Sequence, residues 1–518
     1  MASRARPLSV PWAAVAAAAL VGALTLGTAG TVALRAGAAM PGGADWAAVR
    51  FTLLQAALSA GLSCLLAVPV ARALARRRFA GRGALITLMG APFLLPVIVA
   101  ILGLLAVFGR AGIVNDALAV LGLPAVSIYG LHGVVLAHVF LNLPLAVRML
   151  LMGWQAIPAE RMRLAQSLDL TPAAMFRHLE WPMLRATLPG AGVTIFTICL
   201  ASFAVALTLG GGPGATTVEL AIYQALRFDF APDRAATLAL MQFAICSLAL
   251  AAGWSLLREA GFGAGLGRTI GMQAPGGWRR AVDALAIACA AAFLLVPLTA
   301  VLLRGVAGLA EMPDGMGPAV LRSVLVALVS TALATTAGLA LALAVARRAA
   351  GARVFDLIAT LPLAASSLVI GTGLFLLLRP VASPSDLALP VTVAVNAVLA
   401  LPYTYRLLVP EARALQADYG RLARALDLSR GAWLRLVALP RLARPLGFGA
   451  GITAALSMGD LGVITLFAGE TNATLPFYIH SLMGSYRMDA AAGAALVLLC
   501  MSFGLFALFD GIGRHAAA

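Results

Sequence analysis

"RLAQSLDL" at 163–170 and "RLARALDL" at 421–428 agree at six of eight positions, 258 residues apart. Both are charged islands in a chain of 518 residues that is 62% hydrophobic and only 11% charged. A water-soluble domain carries about 25% charged residues. This chain cannot cover a water-facing surface and reads as a polytopic membrane protein. Two copies of one polar segment in such a chain imply a duplicated fold with a duplicated task.

Runs of roughly 20 apolar residues can cross a bilayer as helices. Spans are expected near 11–34, 49–71, 84–108, 130–153, 190–209, 236–257, 281–303, 320–346, 355–378, 389–409, 447–467 and 490–512. Arg4 and Arg6 before the first run, with "AGAA" at 36–39, have the look of a secretory signal. The apolar stretch is long for a signal core, so a retained first span is expected. The net charge is +16 and every basic residue is arginine. The arginines cluster between apolar runs, at Arg72, Arg76, Arg77, Arg78 and Arg82, at Arg347, Arg348 and Arg353, and around the two opening strings. This is the positive-inside pattern rather than a nucleic-acid face, and it places the N-terminus in the cytoplasm. Without lysine the chain can hold neither a phosphate-binding loop of the G-x-x-x-x-G-K type nor a Schiff base. The five cysteines stand singly in apolar runs, with no spacing that suits a metal. No cofactor is expected.

The duplication extends beyond the opening strings. Residues 75–104 align with 342–374 at an offset of 270, so Arg77 and Arg78 meet Arg347 and Arg348, Pro92 meets Pro362, and Gly103 meets Gly373. At an offset of 258, Pro144 meets Pro402, Arg148 meets Arg406, and Pro182 meets Pro440. Six spans per half bring both halves into the membrane in the same direction, as a parallel repeat. The expected division is a first half at 1–257, a cytoplasmic linker at 258–280 and a second half at 281–518.

The repeated segments, about 155–189 and 413–446, are too long and polar for turns. In the first, Leu164, Ala165 and Leu168 fall at helical spacing. Thr171–Pro172 reads as an N-cap with proline at the first helical position. Phe176 and Leu179 continue the apolar stripe, and Pro182 is expected to end it. In the second, Ser429 takes the cap position, Trp433 and Val437 continue the stripe, and Pro440 ends it. Asp169 and Asp427 fall at the joint, where a left-handed conformation is expected. An amphipathic helix on anionic lipid needs no fixed break, whereas a docking surface with anchors in register does.

This layout resembles the cytoplasmic coupling segment of permease subunits of bacterial binding-protein-dependent ABC importers. Its pattern is E-A-A, three residues, glycine, nine residues, I-x-L-P. Arg163, Leu164 and Ala165 fall on E-A-A, Asp169 on the glycine and Pro182 on the proline. Arg421, Leu422, Ala423, Asp427 and Pro440 do the same in the second copy, with Leu426 matching Leu168. The glutamate is arginine and the glycine is aspartate in both copies, so docking is expected to rest on shape and apolar contact.

"FRHLEWPMLR" (176–185), "ASFAVALTLGGGPGATTVELAIYQALRFDF" (201–230), "LSMGDLGVITLF" (456–467) and "TLPFYIHSLMGSYR" (474–487) are similar to stretches of the thiamine/thiamine pyrophosphate importer permeases, which fuse two halves in one chain. The resemblance implies an all-α type I permease fold in the bacterial inner membrane. It also implies an ABC ATPase dimer on the cytoplasmic segments. A periplasmic binding protein is expected on the loops after spans five and eleven, delivering thiamine, thiamine phosphate or thiamine pyrophosphate. Fused ferric-iron and phosphonate permeases share the architecture. An ion-coupled secondary transporter would leave the paired segments unexplained, and no nucleophile–base or metal-hydrolase signature supports a membrane enzyme. Asp460, inside "ALSMGDLGVITLF", and Ser202 at its matching place are candidate pathway residues, because an intramembrane carboxylate is costly and suits a cationic cargo. His132, His138, Asn142 and Asn396 are expected to bond between helices.

Overall fold

The computed structural model describes residues 11–36, 40–90, 94–259 and 276–517. Most of the expected linker, the basic N-terminal tip and most of "AGAA" lie outside them. All regular structure among the described residues is helical, with no strand. Buried spans have no water to bond, and a helix satisfies its own backbone.

Eleven described helices are long and apolar enough to cross a membrane: Trp12–Ala36, Gly43–Arg76, Val97–Val120, Leu131–Gln155, Pro172–Leu200, Pro232–Gly253, Trp278–Glu311, Met316–Ala346, Ala388–Ala425, Arg430–Phe467 and Met488–Ala516. A twelfth is the pair Ala352–Ala364 and Ser367–Leu378, bent by 97°. The bend was not foreseen at 355–378. It follows Pro362, whose ring and missing N–H interrupt the helix ladder, and Ser366 restarts the helix by accepting a hydrogen bond from Val369 N at 3.1 Å. Several helices outrun the roughly 30 Å hydrocarbon core. Gly43–Arg76, with 34 residues, and Ala388–Ala425, with 38, carry their arginine-rich ends beyond it.

The described chain gathers into two compact units that are not continuous in sequence. One holds residues 42–220 and 244–304, the other 1–41, 221–243 and 305–518. The first span therefore belongs with helices from the second repeat, and the seventh with helices from the first. Two repeat-equivalent glycines mark where these spans are received. A Cβ on Gly373 would stand 2.5 Å from Thr28 Cβ of the first span. A Cβ on Gly103 would stand 2.7 Å from Pro297 O of the seventh. In the latter unit the seventh span is also held by an edge-to-face pair, Phe140 and Phe293, and by Arg77 Nε on Asp283 at 2.7 Å. The duplicated sequence thus repeats a receiving surface as well as a segment.

Polar groups inside the units bond between helices. Ser59 Oγ lies 3.3 Å from His138 Nδ1, and Asn142 Nδ2 donates to His138 O and to Cys199 Sγ. Asn396, the counterpart of His138, donates to Ser457 Oγ at 3.0 Å, and Ser457 is the counterpart of Cys199. His132 stays local, against Ser127 O.

Candidate functional site

The two repeated segments share the backbone of the bend and of the helix after it, but Ala159–Ser167 is set off from Leu131–Gln155 whereas the second copy begins as the end of Ala388–Ala425. In the first, Ala159–Ser167 is helical and stops at Leu168. Leu170 N donates to Ala165 O and Asp169 N to Gln166 O, both at 3.1 Å. In the second, Leu428 N donates to Ala423 O at 3.0 Å and Asp427 N to Arg424 O at 3.2 Å. These bonds make a Schellman ending, which needs a left-handed residue just past the helix. Asp169 has φ +50° and Asp427 φ +46°, so aspartate fills a position usually given to glycine. The next helix starts alike in both copies. Thr171 Oγ1 accepts from Ala174 N at 3.3 Å, and Ser429 Oγ accepts from Ala432 N at 3.2 Å.

The bend presents an apolar pair. Leu164 and Leu168, one turn apart, are each more than half exposed, as are Leu422 and Leu426. Arg163 and Arg421 are exposed beside them. The other candidate positions face inward to different degrees. Ala165 is buried, Ala423 is half-buried against Leu415, Trp433 and Leu442, and Phe176 is half-buried. Trp433 is buried, so it supports the segment from beneath rather than offering an outer anchor.

Pro182 and Pro440 do not end their helices, contrary to expectation. Each is exposed and stands at the start of a helix, Trp181–Leu200 or Leu439–Met458, that runs on from the segment. The preceding turn is a π-helix, Phe176–Glu180 in one copy and Leu434–Ala438 in the other. A proline inside an α-helix lacks its N–H and clashes with the carbonyl four residues back. The wider turn removes that conflict, so segment and span are one rod.

Sequence reasoning missed how the first rod is fastened. Glu180 is 0% exposed and ion-paired with Arg72, at 2.7 Å, and with Arg76, whose side chain is 7% exposed. Arg72 also lies over the Phe176 ring, 5.1 Å from its centre. The only sequence signal was one glutamate in an otherwise basic stretch. The second rod has Ala438 at that register. There Arg347 sits 4.2 Å over the centre of the Trp433 ring. Burial, and then the charge of Arg430, push the Arg347 pKa down. A guanidinium nevertheless stays charged.

At the opposite end of the spans, short helices Val218–Arg227 and Leu475–Gly484 follow the glycine-rich starts. Each leads into an exposed aromatic at positive φ, Phe230 (φ +50°) and Tyr486 (φ +60°). Bulky residues rarely hold that conformation. Asp460 and Ser202 fall at equivalent breaks, between Leu439–Met458 and Gly462–Phe467 and between Trp181–Leu200 and Ala204–Leu209. Asp460 Oδ1 accepts from Gly462 N at 3.2 Å, while Oδ2 is buried without a hydrogen-bond partner among the described residues. The structure therefore gives Asp460 a local capping task and leaves one oxygen over. No described group of three or more His, Cys, Asp or Glu residues could hold a metal.

Residues 334–517 match the family described as binding-protein-dependent transport system inner membrane component. Over 489 residues the chain is 40% identical to the thiamine transport system permease protein ThiP of Salmonella typhimurium, covering 90% of this chain and 89% of that protein. It is 38% identical over 528 residues to ThiP of Brucella abortus, covering 98% and 96%. A shorter match, 30% over 193 residues, is to the molybdenum transport system permease protein ModB of Mycobacterium bovis, covering 37% of this chain and 72% of that protein.

Proposed function

Because the chain belongs to the family of thiamine transport system permease proteins, multi-pass components of the inner membrane, we propose that it forms the membrane pathway of an ATP-driven importer for thiamine or its phosphates. The halves at 1–257 and 281–518 act as two permease repeats joined at 258–280, with the N-terminus in the cytoplasm. Two copies of a separate ATPase dock on the paired segments. Closure of that dimer on ATP swings the rods and exchanges inward- and outward-facing states. A periplasmic binding protein delivers cargo to the outer helices, where the strained aromatics at Phe230 and Tyr486 offer anchors.

The observation that carries this reading is the exposed leucine pair beside a left-handed aspartate, in the same register in both repeats. Two exposed leucines one turn apart form a knob for an apolar groove. The flanking Arg163 and Arg421 can steer an acidic rim.

Copurification of the ATPase tests the docking. Leu164→Asp with Leu422→Asp puts charge on both knobs without touching the buried face. The expected result is loss of bound ATPase and of ATP-dependent uptake in proteoliposomes. Unchanged ATPase binding defeats the proposal. Uptake of labelled thiamine, thiamine pyrophosphate, ferric iron and a phosphonate through the reconstituted system separates the cargoes, and a thiamine compound must be the one transported.

A further inference from the structure

The two rods share the backbone of the bend but not a fastening. In the first, Arg72 and Arg76 lie one turn apart on Gly43–Arg76, and Phe176 and Glu180 lie four residues apart across the π turn. The guanidinium of Arg72 touches both members of the opposite pair, as cation over ring and as ion on carboxylate. Arg76 closes on the same carboxylate. The pairing is two by two, centred on the turn that joins segment to span. Removing Glu180 would leave two buried or half-buried cations without their counter-ion, and a protein relieves that by moving the side chains. The second rod holds its turn by Arg347 over Trp433 and by an apolar cluster of Leu415, Trp433, Ala438 and Leu442. A ring face attracts a cation less sharply than a buried carboxylate does.

We propose that Glu180 is a positioning residue that locks the first docking segment to the second span, so that displacement of this segment by the ATPase is passed to Gly43–Arg76. This rests on the reading of the segments as ATPase docking sites. A rigid lever passes displacement from the Leu164–Leu168 knob to Gly43–Arg76 without loss. The second knob has no need of such a lock, because Leu422 lies on Ala388–Ala425 itself, whereas Ala159–Ser167 is a helix separate from Leu131–Gln155.

The test uses the full chain in nanodiscs and follows hydrogen exchange in 159–180 and in 413–438. Glu180→Gln is expected to speed exchange in the first segment by about tenfold or more and to leave the second unchanged. Glu180→Asp, which keeps the charge, is expected to restore most of the protection. In the assembled importer, Glu180→Gln should retain bound ATPase while cargo imported per ATP falls by about tenfold. If Glu180→Gln does not fold, Arg72→Gln replaces it, because Arg76 and Glu180 then remain a neutral pair. Unchanged exchange in 159–180 overturns the proposal, and so does equal acceleration in both segments. Faster exchange with an unaltered import-to-ATP ratio overturns the transmission. Failure of the unmodified chain to recruit an ATPase overturns instead the docking reading, and the transmission falls with it.

Discussion

Thr52 Oγ1 accepts a hydrogen bond from Val218 N at 2.9 Å, across 166 residues of chain. The same hydroxyl donates to Ala48 O at 2.8 Å, so it is satisfied on both sides. Ser323 Oγ does the equivalent work in the other unit, accepting from Leu475 N at 2.7 Å. Each outer helix thus has its first buried amide bound by a span. Thr52→Val keeps the shape but orphans that amide, at a cost of about 1–3 kcal/mol. Ser323→Ala should cost a similar amount. Thr52→Ser should be nearly silent. Thermal midpoints in nanodiscs measure all three, and equal midpoints for Thr52→Val and the parent would refute the role.

The left-handed aspartates give a prediction of opposite sign. Asp169 and Asp427 hold φ near +50°, which costs an L-residue roughly 1–2 kcal/mol and costs glycine little. Asp169→Gly should therefore be neutral or stabilising by up to about 1 kcal/mol. Asp169→Val should destabilise by at least about 1 kcal/mol, because a β-branched side chain tolerates this region least. Denaturation midpoints of the single variants decide the sign.

The receiving glycines should behave as a matched pair. In Gly103→Ala the new methyl meets a backbone carbonyl, and in Gly373→Ala it meets Thr28 at its Cβ. Neither obstacle is the tip of a flexible side chain. Each substitution should cost about 1–3 kcal/mol by overpacking. A thermal scan that shows a loss at one glycine and none at the other would break the equivalence of the two receiving surfaces.

His480 lies on the outer helix Leu475–Gly484, and burial pushes its pKa below the usual 6.5. In the folded protein it stays neutral where the unfolded chain would take up a proton. Its contribution to stability is full above pH 6.5 and is lost as pH falls below that value toward the folded pKa. The parent should therefore melt earlier at mildly acidic pH than at neutral pH. His480→Gln should show a smaller acid-side loss. Identical pH slopes for the two proteins would remove His480 as the cause.

What could be read from sequence was what local chemistry decides. Thr171, Ser429, Asp169 and Asp427 lie where the cap and joint signals put them, because the atoms that determine those conformations are within a few residues. The number of spans followed from the apolar run lengths for the same reason. Pro182 and Pro440 were misread because the rule that proline ends a helix assumes an α-helical turn before it, and here that turn is wider. Glu180 escaped notice because its partners stand about a hundred positions earlier, and a lone carboxylate among arginines does not name them. The company kept by the first span was equally hidden. An apolar stripe says that a helix needs neighbours but not which ones.

That exchanged company bears on how the protein is made. Trp12–Ala36 leaves the ribosome before the other described helices, yet the helices it packs against, Met316–Ala346 and the bent pair from Ala352, are synthesised after half the chain. The unit that receives it cannot close until then, whereas the unit built on 42–220 closes once the seventh span at 278 onward has emerged. Until its partners arrive, the first helix waits in lipid with its small and hydroxyl-bearing face, including Thr25 and Thr28, uncovered. Its threonines meet that delay by donating back to their own helix, Thr25 to Val21 O and Thr28 to Leu24 O, both at 2.7 Å, so nothing polar is left bare during the wait. Joining the repeats in one polypeptide keeps this early helix tethered to partners not yet translated. Two separate halves would instead have to find each other by diffusion in the membrane.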